Sequence, residues 1–253
     1  MDAVIIGSGN TATVLARLMK KNQHTILQII SRHIQHAQQL ATEMNCDFAN
    51  DISAINNNAE IYLIAVSDTA IESIASKIKL KEKLIVHTCG AVNKNVLKDV
   101  SENYGVLYPL QSLRKENPHI PAIPFLIDGN SAHTKKEISA FAKTLSPFVS
   151  EATDEERMRL HVSAVIVSNF TNHLYALTKE FCDAEAVDFS LLLPLIHEVG
   201  HRLSHYPPDE MQTGPASRGD IETIAVHKEW LEKYPQLQKI YAMMSESIMQ
   251  FIK

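Results

Sequence analysis

Gly7-Ser8-Gly9-Asn10-Thr11-Ala12 stands between the β-branched run Val4-Ile5-Ile6 and a segment with Val14, Leu15, Leu18 and Met19 at helical spacing. In that setting a G-x-G-x-x-A spacing suits a dinucleotide. Gly7 permits the tight bend, Gly9 lets backbone approach a pyrophosphate, and Ala12 allows close packing of helix on strand while the helix N-terminus faces the anion. Ser8, Asn10 and Thr11 would flank the same phosphates. A chance glycine turn is the plainer alternative. Roughly 20 residues on, where NAD-binding proteins place a carboxylate on the ribose hydroxyls, the chain has Ser31-Arg32-His33. A hydroxyl and a guanidinium, with the imidazole as a further donor, suit a 2′-phosphate and leave NAD without its acceptor. NADP is the expected cofactor, against the alternative of a solvated Arg after a strand.

Two further segments, Val66-Ser67-Asp68-Thr69 and His87-Thr88-Cys89-Gly90, follow apolar runs and belong at the carboxyl edge of a sheet, beside such a crevice. Val66, Ser67, Asp68, His87, Thr88 and Gly90 are therefore candidate cofactor contacts; His87 reads equally as a strand-end histidine satisfied locally. Tyr108-Pro109-Leu110-Gln111-Ser112 would close the crevice, with Gln111 and Ser112 as candidate substrate ligands. In a long helical pattern, most positions between Val162 and Leu177 are apolar or small, as in a helix buried on several sides. His161, Asn169, Asn172 and His173 interrupt it; His161, Asn169 and His173 lie on or near one stripe at a spacing of four, with Asn172 and Ser168 flanking it. Buried amides and imidazoles need partners, which a substrate or a polar seam between helices or subunits would supply. In the segment 213–220, Arg218 is a candidate for an anionic substrate group and Asp220 for the cap of a helix starting at Ile221. A turn with an Arg–Asp pair is the alternative. His197-Glu198-Val199-Gly200-His201 spells H-E-x-x-H, the pattern of a zinc hydrolase. With 12 His in the chain and every other signal pointing to a dinucleotide, no metal site is expected.

These residues need a scaffold. Short apolar runs at 4–6, 26–30, 61–66, 84–87, 105–108, 125–127 and 147–149 alternate with helical patterns at about 35–44, from Thr69, and at about 135–145. Thr69 with Glu72 reads as a capping box. The expected fold is a doubly wound, mostly parallel α/β sheet of the Rossmann type over residues 1–150. Residues 151–253 read as an all-α domain, with helices near 155–182, 191–205, 221–232 and 235–252.

The chain has 253 residues, 45% hydrophobic and 21% charged, with a net charge of -5. That is too apolar for disorder and too acidic for a dedicated nucleic-acid binder. Three separated cysteines, Cys46, Cys89 and Cys182, allow neither a disulfide framework nor a Cys-based zinc site. The start lacks the pattern of a secretory signal and no run is long enough to span a bilayer. A soluble, cytoplasmic protein is expected, without nucleic-acid or membrane partners.

With these motifs in place, the chain resembles the NADP-dependent reductases that join a Rossmann domain to a helical one. Among them are pyrroline-5-carboxylate reductase, ketopantoate reductase, and the 6-phosphogluconate and β-hydroxyacid dehydrogenases. The likeness is greatest to a bacterial family of NADP oxidoreductases with a helical C-terminal domain of unknown function. It rests on Gly7 to Ala12, residues 87–90 and 109–112, Leu160-His161 through Asn169-Phe170-Thr171-Asn172-His173, and residues 213–220. The resemblance implies a homodimer or higher oligomer built through a 6-phosphogluconate dehydrogenase-like helical domain, and an active site facing the long helix. Where β-hydroxyacid dehydrogenases carry a Lys four residues before the Asn, this chain has Val165. His161, one turn earlier, would take over proton donation, as an imidazole with an ordinary pKa near 6.5 can. Asn169 and Asn172 would polarise a small carbonyl, hydroxy or imine substrate, and Arg218, Gln111 or Ser112, with His173, would bind it. The departure at Val165 equally fits an NADP-binding sensor without catalysis.

Overall fold

The structure, a computed structural model, describes residues 1–251. The chain forms two compact units, Met1–Ser168 and Asn169–Lys253. The first runs β1 (Asp2–Ile6), α1 (Asn10–Lys21), β2 (Thr25–Ile30), α2 (Ile34–Met44), β3 (Asp47–Ala49), β4 (Ile61–Ile64), α3 (Asp68–Ala75), β5 (Lys81–His87), β6 (Ser101–Pro109), β7 (Phe125–Gly129), α4 (Ala132–Leu145), β8 (Val149–Glu151) and α5 (Asp154–Ala164). Its eight strands make one sheet in the order β3-β2-β1-β4-β5-β6-β7-β8. Only β6 and β7 are antiparallel; every other neighbouring pair is parallel. The chain's order reverses between β1 and β4, which is where a doubly wound sheet opens a crevice at its carboxyl edge.

Side-chain alternation explains the two covered faces. Ala3 and Ile5 of β1 belong to a core with residues of α1, α2 and α4. Val4 and Ile6 belong to the opposite core, with Ile71 and Ala75 of α3. Strand β3 was not expected, since Asp47-Phe48-Ala49 is too short and too exposed to show a pattern. The expected capping box at Thr69 is corrected as well. Ser67 occupies the cap of α3 and Thr69 lies inside the helix, whereas Thr153 and Glu156 form a complete capping box at the start of α5.

The long helical pattern is not one α-helix. After α5 the backbone makes a π turn over Val165–Phe170 and resumes as α6 (Thr171–Ala184). The β-branched run Val165-Ile166-Val167 crowds the tight α turn, and a π turn closes i→i+5, so the even spacing behind the expected stripe does not hold across it. Nor is this segment buried on several sides: Val162, Val167 and Phe170 are 51%, 72% and 58% exposed.

The second unit is helical, with α6, α7 (Leu193–Arg202), α8 (Ile221–Trp230) and α9 (Pro235–Phe251); the expected end at Ile252 lies outside the described residues. Asp220 caps α8 as expected, accepting from the Thr223 N–H at 3.0 Å. Tyr234 Oη donates to Glu185 at 2.6 Å while its ring meets Phe181 edge-on. Among the described residues no helix is long and apolar enough to cross a membrane.

Candidate active site and cofactor cleft

A cleft of about 1050 Å³ opens at the carboxyl ends of β1, β2 and β4. Gly7, Ser8, Gly9, Asn10, Thr11, Ser31, Arg32, Val66 and Ser67 all line it. Gly7 has φ +130°, and a Cβ on it would lie 2.1 Å from the Ala65 carbonyl oxygen, so the residue must be glycine for two independent reasons. Around Gly9 the situation is reversed. A Cβ there would meet nothing within 4 Å; what the missing side chain leaves is space over the first turn of α1. That helix has no acidic residue in its first turn and no side chain capping it, so its N–H groups point outward, ready for an anion.

Charge extends the cleft beyond the glycine turn. Ser8 Oγ donates to Ser31 Oγ at 2.7 Å, joining the first two strand ends, with Arg32 beside them. His36 and Lys115, absent from the expected set, line the same space, as do His33 and Lys77. The His33 and His36 rings are 5.4 Å apart. Asp51 is the cleft's one carboxylate, and its side chain is already engaged by the Ser53 N–H at 2.9 Å. A cationic cleft with open backbone donors fits a polyanionic dinucleotide bearing a 2′-phosphate. His36 lies three residues past His33 and Lys115 far along the chain, so neither falls within the motif read from the sequence.

His87, Thr88, Gly90 and Asp68 do not line this cleft. They sit farther along the carboxyl edge, at the ends of β5 and the start of α3, and build a second cluster. Gly90 lies directly under His161: a Cβ on it would be 2.7 Å from the imidazole Nδ1. That nitrogen is hydrogen-bonded to Tyr108 Oη at 3.0 Å, with the two rings edge-on at 5.9 Å. Burial, reinforced by the Asp68 carboxylate, raises the Tyr108 pKa, so the phenol keeps its proton and can donate. One turn before His161 on α5, Arg157 is 1% exposed and donates from Nε to the Gly90 carbonyl at 3.2 Å and from Nη2 to the Val92 carbonyl and Asp154. The same helix face thus clamps the loop and places the imidazole on it.

His87 is fully buried, its Nδ1 accepting from the Cys89 N–H at 3.3 Å. Burial, with Arg157 adding to it, pushes its pKa down to about 4; the ring is neutral at pH 7. In the unfolded chain it titrates near 6.5. Folding stability is therefore untouched above that value and declines between about pH 6.5 and 4, where the unfolded state takes up a proton that the folded state refuses. At about 1.4 kcal/mol per pKa unit the penalty is about 3 kcal/mol. Urea unfolding at both pH values is expected to show this loss in the wild type and not in His87→Gln; equal losses in the two would contradict it.

Gln111 spends its amide on its own loop, donating to the Ala122 carbonyl and accepting from the Ser112 N–H; Ser112 is exposed. In the second unit Asn169, Asn172, His173 and Arg218 are all exposed, and Arg218 makes no ion pair among the described residues. His173 Nε2 lies 3.5 Å from Gln236 Nε2. His197, Glu198 and His201 are on α7, and among the described residues no three His, Cys, Asp or Glu side chains form a group that could hold a metal ion.

The fold and cleft have close relatives. Residues 3–90 match the family model described as NADP oxidoreductase, coenzyme F420-dependent, and residues 123–248 match a domain of unknown function, DUF2520. The structure superimposes on that of "putative NADP oxidoreductase BF3122" from Bacteroides fragilis with a TM-score of 0.93 and 35% identity, covering 98% of each chain. The chain belongs to this family of NADP oxidoreductases. Pyrroline-5-carboxylate reductase from Aquifex aeolicus is 27% identical over 93 residues. That alignment spans 37% of the present chain and 35% of the Aquifex protein, about a third of its length. An imine reductase from Myxococcus stipitatus shares the family's fold at 11% identity, with a TM-score of 0.66 over 99% of this chain and 93% of its own.

Proposed function

We propose that the protein is an NADP(H)-dependent reductase or dehydrogenase acting on a small carbonyl, hydroxy or imine compound. The observation that carries this reading is the opposition of Gly7 and Gly9. One is locked by packing, while the other opens onto a cation-lined cleft that continues to Ser31 and Arg32. The cofactor, when bound, supplies or accepts hydride at nicotinamide C4. Gly9, Asn10 and Thr11 would hold the pyrophosphate through backbone N–H groups, Ser8, Ser31 and Arg32 the 2′-phosphate, and Val66 and Ser67 the adjoining ribose. In the reducing direction His161 would give a proton to the nitrogen or oxygen of the substrate. The roles proposed for Asn169 and Asn172 in polarising the substrate, and for Ser112, His173 and Arg218 in binding it, rest on their polar side chains and the family resemblance. Leu191, Trp230 and Met243, which are 74%, 67% and 61% exposed in the single chain, support pairing of the helical units with a second copy.

Thermal unfolding with saturating NADPH, with NADH and without ligand tests the cofactor assignment, since a ligand selective for the native state raises its apparent stability. A larger shift with NADPH is expected, and Arg32→Ala should reduce it toward the NADH value. No shift with either nucleotide would sink the reading. Tight NADPH binding without turnover of any carbonyl or imine would instead favour a sensor, the alternative suggested by Val165.

A further inference from the structure

The irregular segment 110–124 returns across the sheet edge after β6 and is pinned to α1 at Lys115. The Lys115 N–H donates to Asn10 Oδ1 at 3.3 Å, and its carbonyl accepts from Arg17 Nη1 at 2.6 Å. Arg17 is itself fixed by a two-pronged contact with Glu43 of α2, at 2.6 and 3.0 Å. Leu113 and Ile120 on either side pack against the core, so the segment is a strap held at three places. Its charged side chains divide. Arg114 and Glu116 pair with each other at 3.4 Å, while Lys115, half-buried between them, has no carboxylate within 4.0 Å among the described residues and lines the cleft. A smaller adjoining hollow of about 200 Å³ shares Ser8, His36 and Lys115 with the cleft, and its two carboxylates, Glu43 and Glu116, are paired with Arg17 and Arg114. Ser8, shared by both spaces, is bonded to Ser31, next to Arg32 on the wall of the cleft.

We propose that Lys115 is a third-element ligand for the cofactor's 2′-phosphate, held in place by Arg17, and that it sets the preference for NADPH over NADH. This rests on the cofactor reading above. Three separate stretches of chain then supply the phosphate's partners: the glycine turn gives Ser8, the end of β2 gives Ser31 and Arg32, and the strap gives Lys115. A phosphate of charge about −1.5 to −2 is better matched by two cations than by Arg32 alone. Holding the lysine backbone from both sides also lowers the entropy lost when its ammonium is fixed on the ligand. Arg17 does not touch the phosphate; it is a positioning residue.

Isothermal titration of the full-length protein with NADPH and with NADH tests the assignment. Lys115→Ala is expected to weaken NADPH binding about tenfold or more, the scale of one hydrogen bond to a charged group, and to leave NADH nearly unchanged. Lys115→Arg should keep the preference. Arg17→Gln should weaken NADPH in the same selective way, and its effect should largely vanish in the Lys115→Ala background, a non-additivity that a general loss of fold would not give. If wild type binds neither nucleotide, the cofactor reading fails and this proposal with it. If wild type prefers NADPH but Lys115→Ala binds it equally well, or loses both nucleotides by the same factor, the cofactor reading stands and the 2′-phosphate role of Lys115 is overturned.

Discussion

Replacing His161 with Ala is expected to lower kcat for NADPH-dependent reduction of a carbonyl or imine that the wild type turns over by about 10²–10⁴-fold, the range for loss of a positioned proton donor, while NADPH binding stays intact. The reason lies in how the imidazole is held. Gly90 beneath the ring admits no Cβ without a collision at 2.7 Å, and Tyr108 Oη at 3.0 Å fixes Nδ1. In the neutral ring a phenol that retains its proton, because burial and Asp68 raise its pKa, donates to Nδ1 and places the N–H on Nε2; the proton given to substrate comes from the imidazolium at Nε2, which leaves the ring neutral with Nδ1–H on Tyr108 Oη. Tyr108→Phe keeps the edge-on ring contact and removes only the hydroxyl. It should cost about tenfold in kcat, on the scale of one neutral hydrogen bond, and alter the pH profile of the rate. Nitrogen-15 NMR of the histidines gives a readout independent of turnover: the His161 signal, assigned by its absence in His161→Ala, should report the Nε2–H tautomer in wild type and a mixture in Tyr108→Phe. An unchanged tautomer in the variant would remove Tyr108 from the mechanism, and full activity in His161→Ala would remove both.

Tyr108 shows where legibility in the sequence ended. The glycine turn, Ser31-Arg32 and the strand–helix alternation are local patterns: each lies within a few residues, and backbone period alone places them at one sheet edge. From these followed the α/β sheet and the placing of Gly7 to Thr11, Ser31 and Arg32 along one cleft. Partners joined only by folding did not. Tyr108 and His161 are 53 residues apart, Lys115 and Asn10 are 105 apart, and no spacing rule connects such pairs. Helical periodicity also misled in one segment. The run from Val162 to Leu177 reads as an interior helix because apolar composition alone does not tell a buried face from an exposed one. In the same way Gln111 sits at the expected position but turns its amide back on its own loop, a choice made by loop geometry that residue type does not reveal.

Gly7→Ala and Gly9→Ala are expected to fail in opposite ways, although the two positions are neighbours in one motif. At Gly7 a methyl group would lie 2.1 Å from the Ala65 carbonyl oxygen and 2.8 Å from its carbon, at a φ of +130° that an L side chain rarely adopts. Neither backbone segment can yield cheaply. The Ala65 N–H donates to the Ile6 carbonyl at 2.8 Å and the Gly7 N–H to the Ile30 carbonyl at 2.7 Å, so movement breaks the stitching of β1 to both its neighbours. Steric overlap and backbone strain together put Gly7→Ala in the exceptional class of about 4–5 kcal/mol or more, and loss of the folded protein at 37 °C is the expected result. At Gly9, φ is −79° and the space above is open, so Ala at this helix cap should cost no more than about 1 kcal/mol. In the proposed cofactor pose its methyl group would instead occupy the approach of the pyrophosphate. Melting temperature without ligand should stay within a few degrees of wild type, while the NADPH-induced shift largely disappears and the smaller NADH shift disappears with it, because the pyrophosphate is common to both. If Gly9→Ala bound NADPH as tightly as wild type, the dinucleotide would not lie over the first turn of α1. If Gly7→Ala folded normally, the contact between the glycine turn and the end of β4 would not be what fixes the shape of the cleft.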